Sequence, residues 1–129
     1  MGFKKFTKKG GKASGKSRMG PRISLRKSGS VGFNHATVEE YFEGKDYVEC
    51  FHDAVNQKVG FHPNEDETND SYKVRKSEKE SHGAQVNCRA FMNEFDLVPE
   101  KTTRYKAEWD SDQELIVIDL TDPDHIYNS

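Results

Sequence analysis

The sequence predicts a mainly β protein with two short helices, built as a pseudo-twofold closed barrel from two β-β-α-hairpin units and preceded by a disordered basic arm. Three observations carry that expectation. Charge is segregated along the chain: the first acidic residue is Glu39, whereas the first 27 residues already hold ten basic ones. Apolar residues recur in short alternating runs bounded by turn residues, a pattern of strands and not of long helices. The order strand, strand, helix, hairpin then occurs twice.

Residues 1-21 make the arm. Lys4, Lys5, Lys8, Lys9, Lys12, Lys16 and Arg18 are interspersed with Gly and Ser, and the apolar residues between them are isolated, so no packed core can form there. After Pro21, Arg22 opens a run in which Ile23 and Leu25 alternate with polar residues and which closes on Arg26 and Lys27 before Gly29. Val31-Gly32-Phe33 is a second short strand. Asn34 or Thr37 caps a helix at Val38 to Phe42, stopped by Gly44. Tyr47 to Phe51 and Lys58 to Phe61 flank the turn 52-57 as a hairpin that Pro63 ends. Residues 64-71 are polar and acidic, a linker.

Beyond the linker the order repeats. Tyr72 to Ser77, with Arg75 and Lys76, and Ala84 to Val86 are strands. Ala90 to Phe95 is helical. Arg104 to Trp109 and Glu114 to Leu120 close a second hairpin, and residues 121-129 are a loose tail. Aligned by eye, Arg26 and Lys27 fall on Arg75 and Lys76, Asn34 on Asn87, Phe51 on Trp109 and Val59 on Val117. The domain is therefore taken as residues 22-120, in units 22-63 and 72-120. Either unit alone would leave open strand edges, which closure of both into one barrel removes.

Composition narrows the function. Of 129 residues, 33% are hydrophobic, and the net charge of -2 conceals a body of -12 beyond residue 27. No apolar run approaches the ~18 residues that span a bilayer, and no apolar stretch follows the charged first residues, so neither a membrane span nor a secretory signal is expected. Two cysteines, Cys50 and Cys88, make no disulfide framework, which points to a reducing cytoplasmic setting, nucleoid-associated or within a virion.

Residues 23-63 carry a basic strand (Leu25-Arg26-Lys27), a Gly29 turn, a short strand (Val31-Gly32-Phe33), a helix, the segment Gly44-Lys45-Asp46-Tyr47-Val48 and a closing strand that ends in Pro63. This stretch, about a third of the chain, resembles the AbrB/MazE/SpoVT swapped-hairpin family, with Phe33-Asn34 where the family usually has Ile-Pro. The resemblance implies a cradle-loop barrel, here completed by a second unit within the same chain, and a DNA-binding transcriptional regulator or antitoxin.

Chemically, the arm is the strongest feature. Lysine pairs between glycines neutralise phosphates without needing a fixed geometry, and Phe3 and Phe6 could stack on bases. The expected nucleic-acid contacts are thus Lys4, Lys5, Lys8, Lys9, Lys12, Lys16, Arg18, Arg22, Arg26, Lys27, Arg75 and Lys76, with DNA favoured over RNA and the protein a monomer or homodimer. The alternative is a structural or adaptor subunit of a viral, polymerase or ribonucleoprotein assembly, or an antitoxin, that binds a protein through the acidic barrel. No nucleophile elbow, zinc-protease helix or phosphate loop is present. Cys50 and His52 share one strand face, but with His35, His62, His82 and Cys88 they form no standard ligand spacing. Neither catalysis nor a metal or other cofactor is expected.

Overall fold

The computed structural model describes residues 19–78 and 83–128, so the expected contacts at Lys4, Lys5, Lys8, Lys9, Lys12, Lys16 and Arg18 lie outside the described residues. In chain order the elements are β1 (Arg22–Leu25), β2 (Ser30–Phe33), α1 (His35–Tyr41), β3 (Tyr47–Asp53), β4 (Lys58–Asn64), β5 (Ser71–Lys73) and β6 (Arg75–Lys76). They continue with β7 (Ala84–Asn87), α2 (Arg89–Glu94), β8 (Thr103–Lys106), β9 (Glu108–Asp110), β10 (Leu115–Asp119) and β11 (Pro123–Ile126). The described residues are mainly β with two helices, as the alternating runs imply.

All described pairings are antiparallel and fall into two sheets, a six-stranded one in the order β11-β8-β1-β2-β7-β6 and a five-stranded one in the order β5-β3-β4-β10-β9. The hydrogen-bonded ladders do not close into one barrel. Two runs expected as single strands are each broken at one buried residue and contribute to both sheets: Val74 divides β5 from β6, and Ala107 divides β8 from β9. At each break the backbone N–H leaves the ladder direction, Val74 N–H donating to the Asp46 carbonyl at 2.9 Å and Ala107 N–H to the Pro21 carbonyl at 3.2 Å. Strands that change sheet in this way form the corners of a two-sheet packing.

Alternation sends Ile23, Leu25, Val31, Phe33, Ala84 and Val86 from one sheet, and Val48, Val59, Phe61, Ile116 and Ile118 from the other, into a single buried core. Phe33 joins the layers, its ring 4.8 Å from that of Phe42 and 5.5 Å, edge-on, from that of Phe61. Burying each such side chain is worth about 1.5–3 kcal/mol against leaving it exposed.

Helix α1 starts at Asn34, whose Oδ1 accepts from the Thr37 N–H at 3.0 Å and from the Arg22 N–H at 2.9 Å, fastening the helix to β1. The tail expected to be loose forms instead the edge strand β11, paired with β8. Its anchor is ionic: Asp124 Oδ2 lies 2.8 Å from Arg104 Nε and 3.1 Å from Arg22 Nε. Of the expected linker 64-71, residues 65–70 are exposed, while Asn64 ends β4 and Ser71 opens β5.

The pairings come in matched sets. β1 pairs β2 as β6 pairs β7, β1 pairs β8 as β5 pairs β3, and β3 pairs β4 as β9 pairs β10. β2 faces β7 across the Gly32–Gln85 pair, and β4 faces β10 across Gly60–Val117. The two hairpin turns share their geometry: Asp53 accepts from Asn56 as Asp110 accepts from Gln113, and Gln57 and Glu114 both take positive φ, 54° and 57°. That match sets Asp53 against Asp110 and Val59 against Ile116, one residue away from the alignment by eye, with Val59 and Ile116 both fully buried.

Candidate nucleic-acid interface

The outer face of the six-stranded sheet is built by period-two alternation. With Ile23, Leu25, Val31, Phe33, Val86 and Tyr105 turned inward, a single row of partners crosses the outside of the sheet: Arg104, Ser24, Gly32, Gln85 and Arg75. At about 4.8 Å per strand the row is roughly 19 Å long. Arg22 lies on the same face, two residues before Ser24, and Arg26 two residues after it.

Arg26 folds back over the row. Gly32 has no side chain, and the Arg26 guanidinium occupies the place where a Cβ would project, so any larger residue at 32 would displace it. Arg26 Nη1 donates to Gln85 Oε1 at 2.9 Å, which fixes the guanidinium plane. Arg75, directly opposite Gln85 in β6, reaches the same place from the sheet edge. Arg26, Arg75, Gln85 and Ser77 thereby line a shallow depression of about 400 Å³ with Phe33, Gly83 and Ala84, and among the described residues its lining includes no carboxylate. Among the described residues neither Arg26 nor Arg75 lies within ion-pair distance of an acid. Two guanidiniums around one depression suit a phosphate oxygen, because their planar forks donate two hydrogen bonds at once.

The other expected contacts divide. Arg22 is half-buried and paired with Asp124. Burial alone would raise the Asp124 carboxyl, but hydrogen bonds from Arg104 and Arg22 and their charges outweigh it and hold the group below the ordinary aspartate value. Lys27 is exposed in the β1–β2 turn. Lys76 points elsewhere: its Nζ donates to the Phe42 carbonyl at 2.7 Å, at the end of α1, and lies 3.4 Å from Asp46. The pairs Arg26-Lys27 and Arg75-Lys76 do not hold equivalent positions, since the counterpart of Arg75 opposite the central row is Ser24 in β1. Only Arg26 and Arg75 meet, because Arg26 folds back. Arg104 was missed by sequence reasoning, although the alternation of Arg104, Tyr105 and Lys106 carried the signal.

Among the described residues the thiols and imidazoles are not gathered into a site. Cys50 and Cys88 are free and adjacent, and the hydrogen bond with Cys88, together with burial, pushes the Cys50 thiol well above its ordinary range. A thiol held protonated is a poor nucleophile. His52 packs against Phe95, ring centroids 4.7 Å apart, and His62 Nδ1 lies 2.8 Å from the Glu114 carbonyl. Among the described residues no group of three His, Cys, Asp or Glu is placed to hold a metal ion, and no helix is long and apolar enough to cross a membrane.

Comparison with protein families, with curated proteins and with solved structures finds no match to this chain.

Proposed function

We propose that this is a nucleic-acid-binding protein that grips the phosphate backbone with its basic arm and with the outer face of the six-stranded sheet, DNA in preference to RNA. The observation that carries the reading is the meeting of Arg26 and Arg75 around Gln85, in a depression whose described lining holds no carboxylate, on the sheet whose first strand the arm enters. The arm supplies charge without geometry, and so most of the affinity. The arginines supply a fixed pair of donors, and so register on the backbone. Such contacts read phosphates, which makes binding steep in salt and weak in sequence selectivity.

The same reading takes the body as an internally duplicated, cradle-loop-type barrel, related in plan to AbrB-like regulators. The matched pairings about Gly32–Gln85 and Gly60–Val117 support it, as does the likeness of residues 23-63 to that family. The cytoplasm or nucleoid is the setting this role implies.

Fluorescence anisotropy of the full chain against a random DNA duplex and a structured RNA tests the proposal. Neutralising Lys4, Lys5, Lys8 and Lys9 to Gln should weaken binding by roughly 100-fold at low salt and flatten the salt dependence by about four phosphate contacts. Arg26→Ala with Arg75→Ala should cost about tenfold and about two contacts. Unchanged affinity in both variants would reject the role.

A further inference from the structure

The outer face of the five-stranded sheet holds a groove of about 820 Å³ between the two matched hairpin turns. Its floor is apolar. Gly60 lies at the centre, covered by Leu115, with Phe51 beside it on the same face and 45% exposed, whereas Trp109, opposite the buried Ile116, turns its ring to the other face of the sheet, onto Tyr41. Its margin is acidic, with Asp53, Glu108 and Asp110 against the single lysine Lys58. Asp53 and Asp110 are held ionised, chiefly by the side-chain amides of Asn56 and Gln113. An apolar floor with a carboxylate margin suits a segment that alternates aromatic and basic side chains, and repels nucleic acid.

This chain contains such a segment. Phe3-Lys4-Lys5-Phe6 lies in the arm, where residues 1-18 hold seven basic residues and no acid. The arm also joins the body beside the groove: the Pro21 carbonyl accepts from Ala107 N–H, and Ala107 immediately precedes β9, which forms the groove wall through Glu108 and Asp110. Met19 comes sixteen positions after Phe3, enough to reach up to about 50 Å, far more than the few residues of strand that separate Ala107 from the groove. Tethering at that range supplies an effective concentration on the order of millimolar, so that weak contacts suffice to hold the segment.

We propose that the groove is the docking site of the chain's own arm, with Phe3 and Phe6 on the apolar floor and Lys4 and Lys5 against Glu108, Asp110 and Asp53. The docked arm is unavailable to phosphates, so nucleic acid must compete for it. The groove then acts as an internal nucleic-acid mimic that filters out weak polyanions. The regulatory part rests on the function proposed above; the docking itself does not.

Phe51 lies on the groove floor, so in the full chain carrying Phe51→Trp and Trp109→Phe, its arm unaltered, quenching of that one tryptophan by neutral acrylamide reports occupancy without nucleic acid. At low salt the unaltered chain should be quenched about twofold less than the variant Phe3→Ser, Phe6→Ser, Lys4→Gln, Lys5→Gln, and the difference should vanish near 1 M salt, where screening reduces the range of charge to about 3 Å. Glu108→Lys should raise quenching to the level of the arm variant. Equal quenching of the unaltered chain and the arm variant at low salt would overturn docking. Protection that grows with protein concentration would also overturn it, by assigning the groove to the arm of a second copy. Adding a DNA duplex to the unaltered chain should expose the groove tryptophan. If the duplex binds by anisotropy and that tryptophan stays protected, the competition is wrong while docking stands; if no duplex binds, the functional proposal fails and the quenching comparison still decides docking.

Discussion

The two sheets use the same pairing scheme and share one core, yet their surfaces are opposite in charge. Strands of the six-stranded sheet carry Arg22, Arg75, Lys76, Arg104 and Lys106 against the single carboxylate of Asp124. Strands of the five-stranded sheet carry Glu49, Asp53, Glu108, Asp110 and Asp119 against Lys58 and Lys73. Inward positions are alike because both sheets must fill one interior. Outward positions are free of that demand and have been used to make a cationic face and an anionic one. An acidic body can therefore still meet a polyanion, provided the approach is to one face. A net charge of -2 describes neither side.

That contrast can be broken at the core, on the cationic face or on the anionic face, with falling effect. Phe61→Ala removes a fully buried ring that packs edge-on against Phe33 of the opposite sheet. It should cost about 3–5 kcal/mol, and urea transitions followed by Trp109 fluorescence and by far-ultraviolet circular dichroism should move together. Separate transitions would mean that the sheets are independent units and that the shared core is not what couples them.

Asp124→Asn acts on the cationic face alone. It removes the charge that holds β11 to Arg22 and Arg104, whose side chains are largely covered, and should cost about 1 kcal/mol. The pH dependence has a definite sign. A carboxyl lowered on folding contributes stability that is present above its unfolded value, near pH 4, and is lost as pH falls through the lower folded value. Thermal melts of the natural chain should therefore lose stability on acidification below about pH 4, and the Asn variant should lose less over the same range.

The smallest effect belongs to the anionic face. Asp53→Ala and Asp110→Ala each remove the carboxylate that accepts from the turn backbone and from a side-chain amide three residues on. Asp53 is exposed and Asp110 half-exposed, both at the ends of hairpin strands, so each loss in melting temperature should be small. If the two turns are equivalent the losses should match, and a clear inequality would show that the matched geometry is only local.

Much of the architecture was legible because period-two alternation survives in short strands. Ile23 with Leu25, Val31 with Phe33, and Ile116 with Ile118 mark their buried faces directly. Asn34 was readable as a cap because a side-chain oxygen one turn ahead of a helix has few other uses. Three features were not legible. The breaks at Val74 and Ala107 leave alternation undisturbed, since a strand that changes sheet keeps an apolar residue at the corner. β11 is held by Asp124 to arginines far away in the chain, and such pairing leaves no trace in the local sequence of the tail. The meeting of Arg26 with Arg75 depends on a glycine at 32 that admits a folded-back guanidinium, so the contact belongs to the turn and not to the alignment of two basic pairs.

By itself, then, the sequence determined the segregated charge, the mainly β character, the strand faces and the place of both helices, because each of these follows from composition or from periodicity over a few residues. Tertiary structure alone decided that the strands lie in two sheets, that the outward charges sort into opposite faces, and that Arg26, Gln85 and Arg75 stand around one depression. The reason is physical: strand order and register are set by which long-range pairings bury the common core, and only those pairings determine which distant polar side chains become neighbours on the outside.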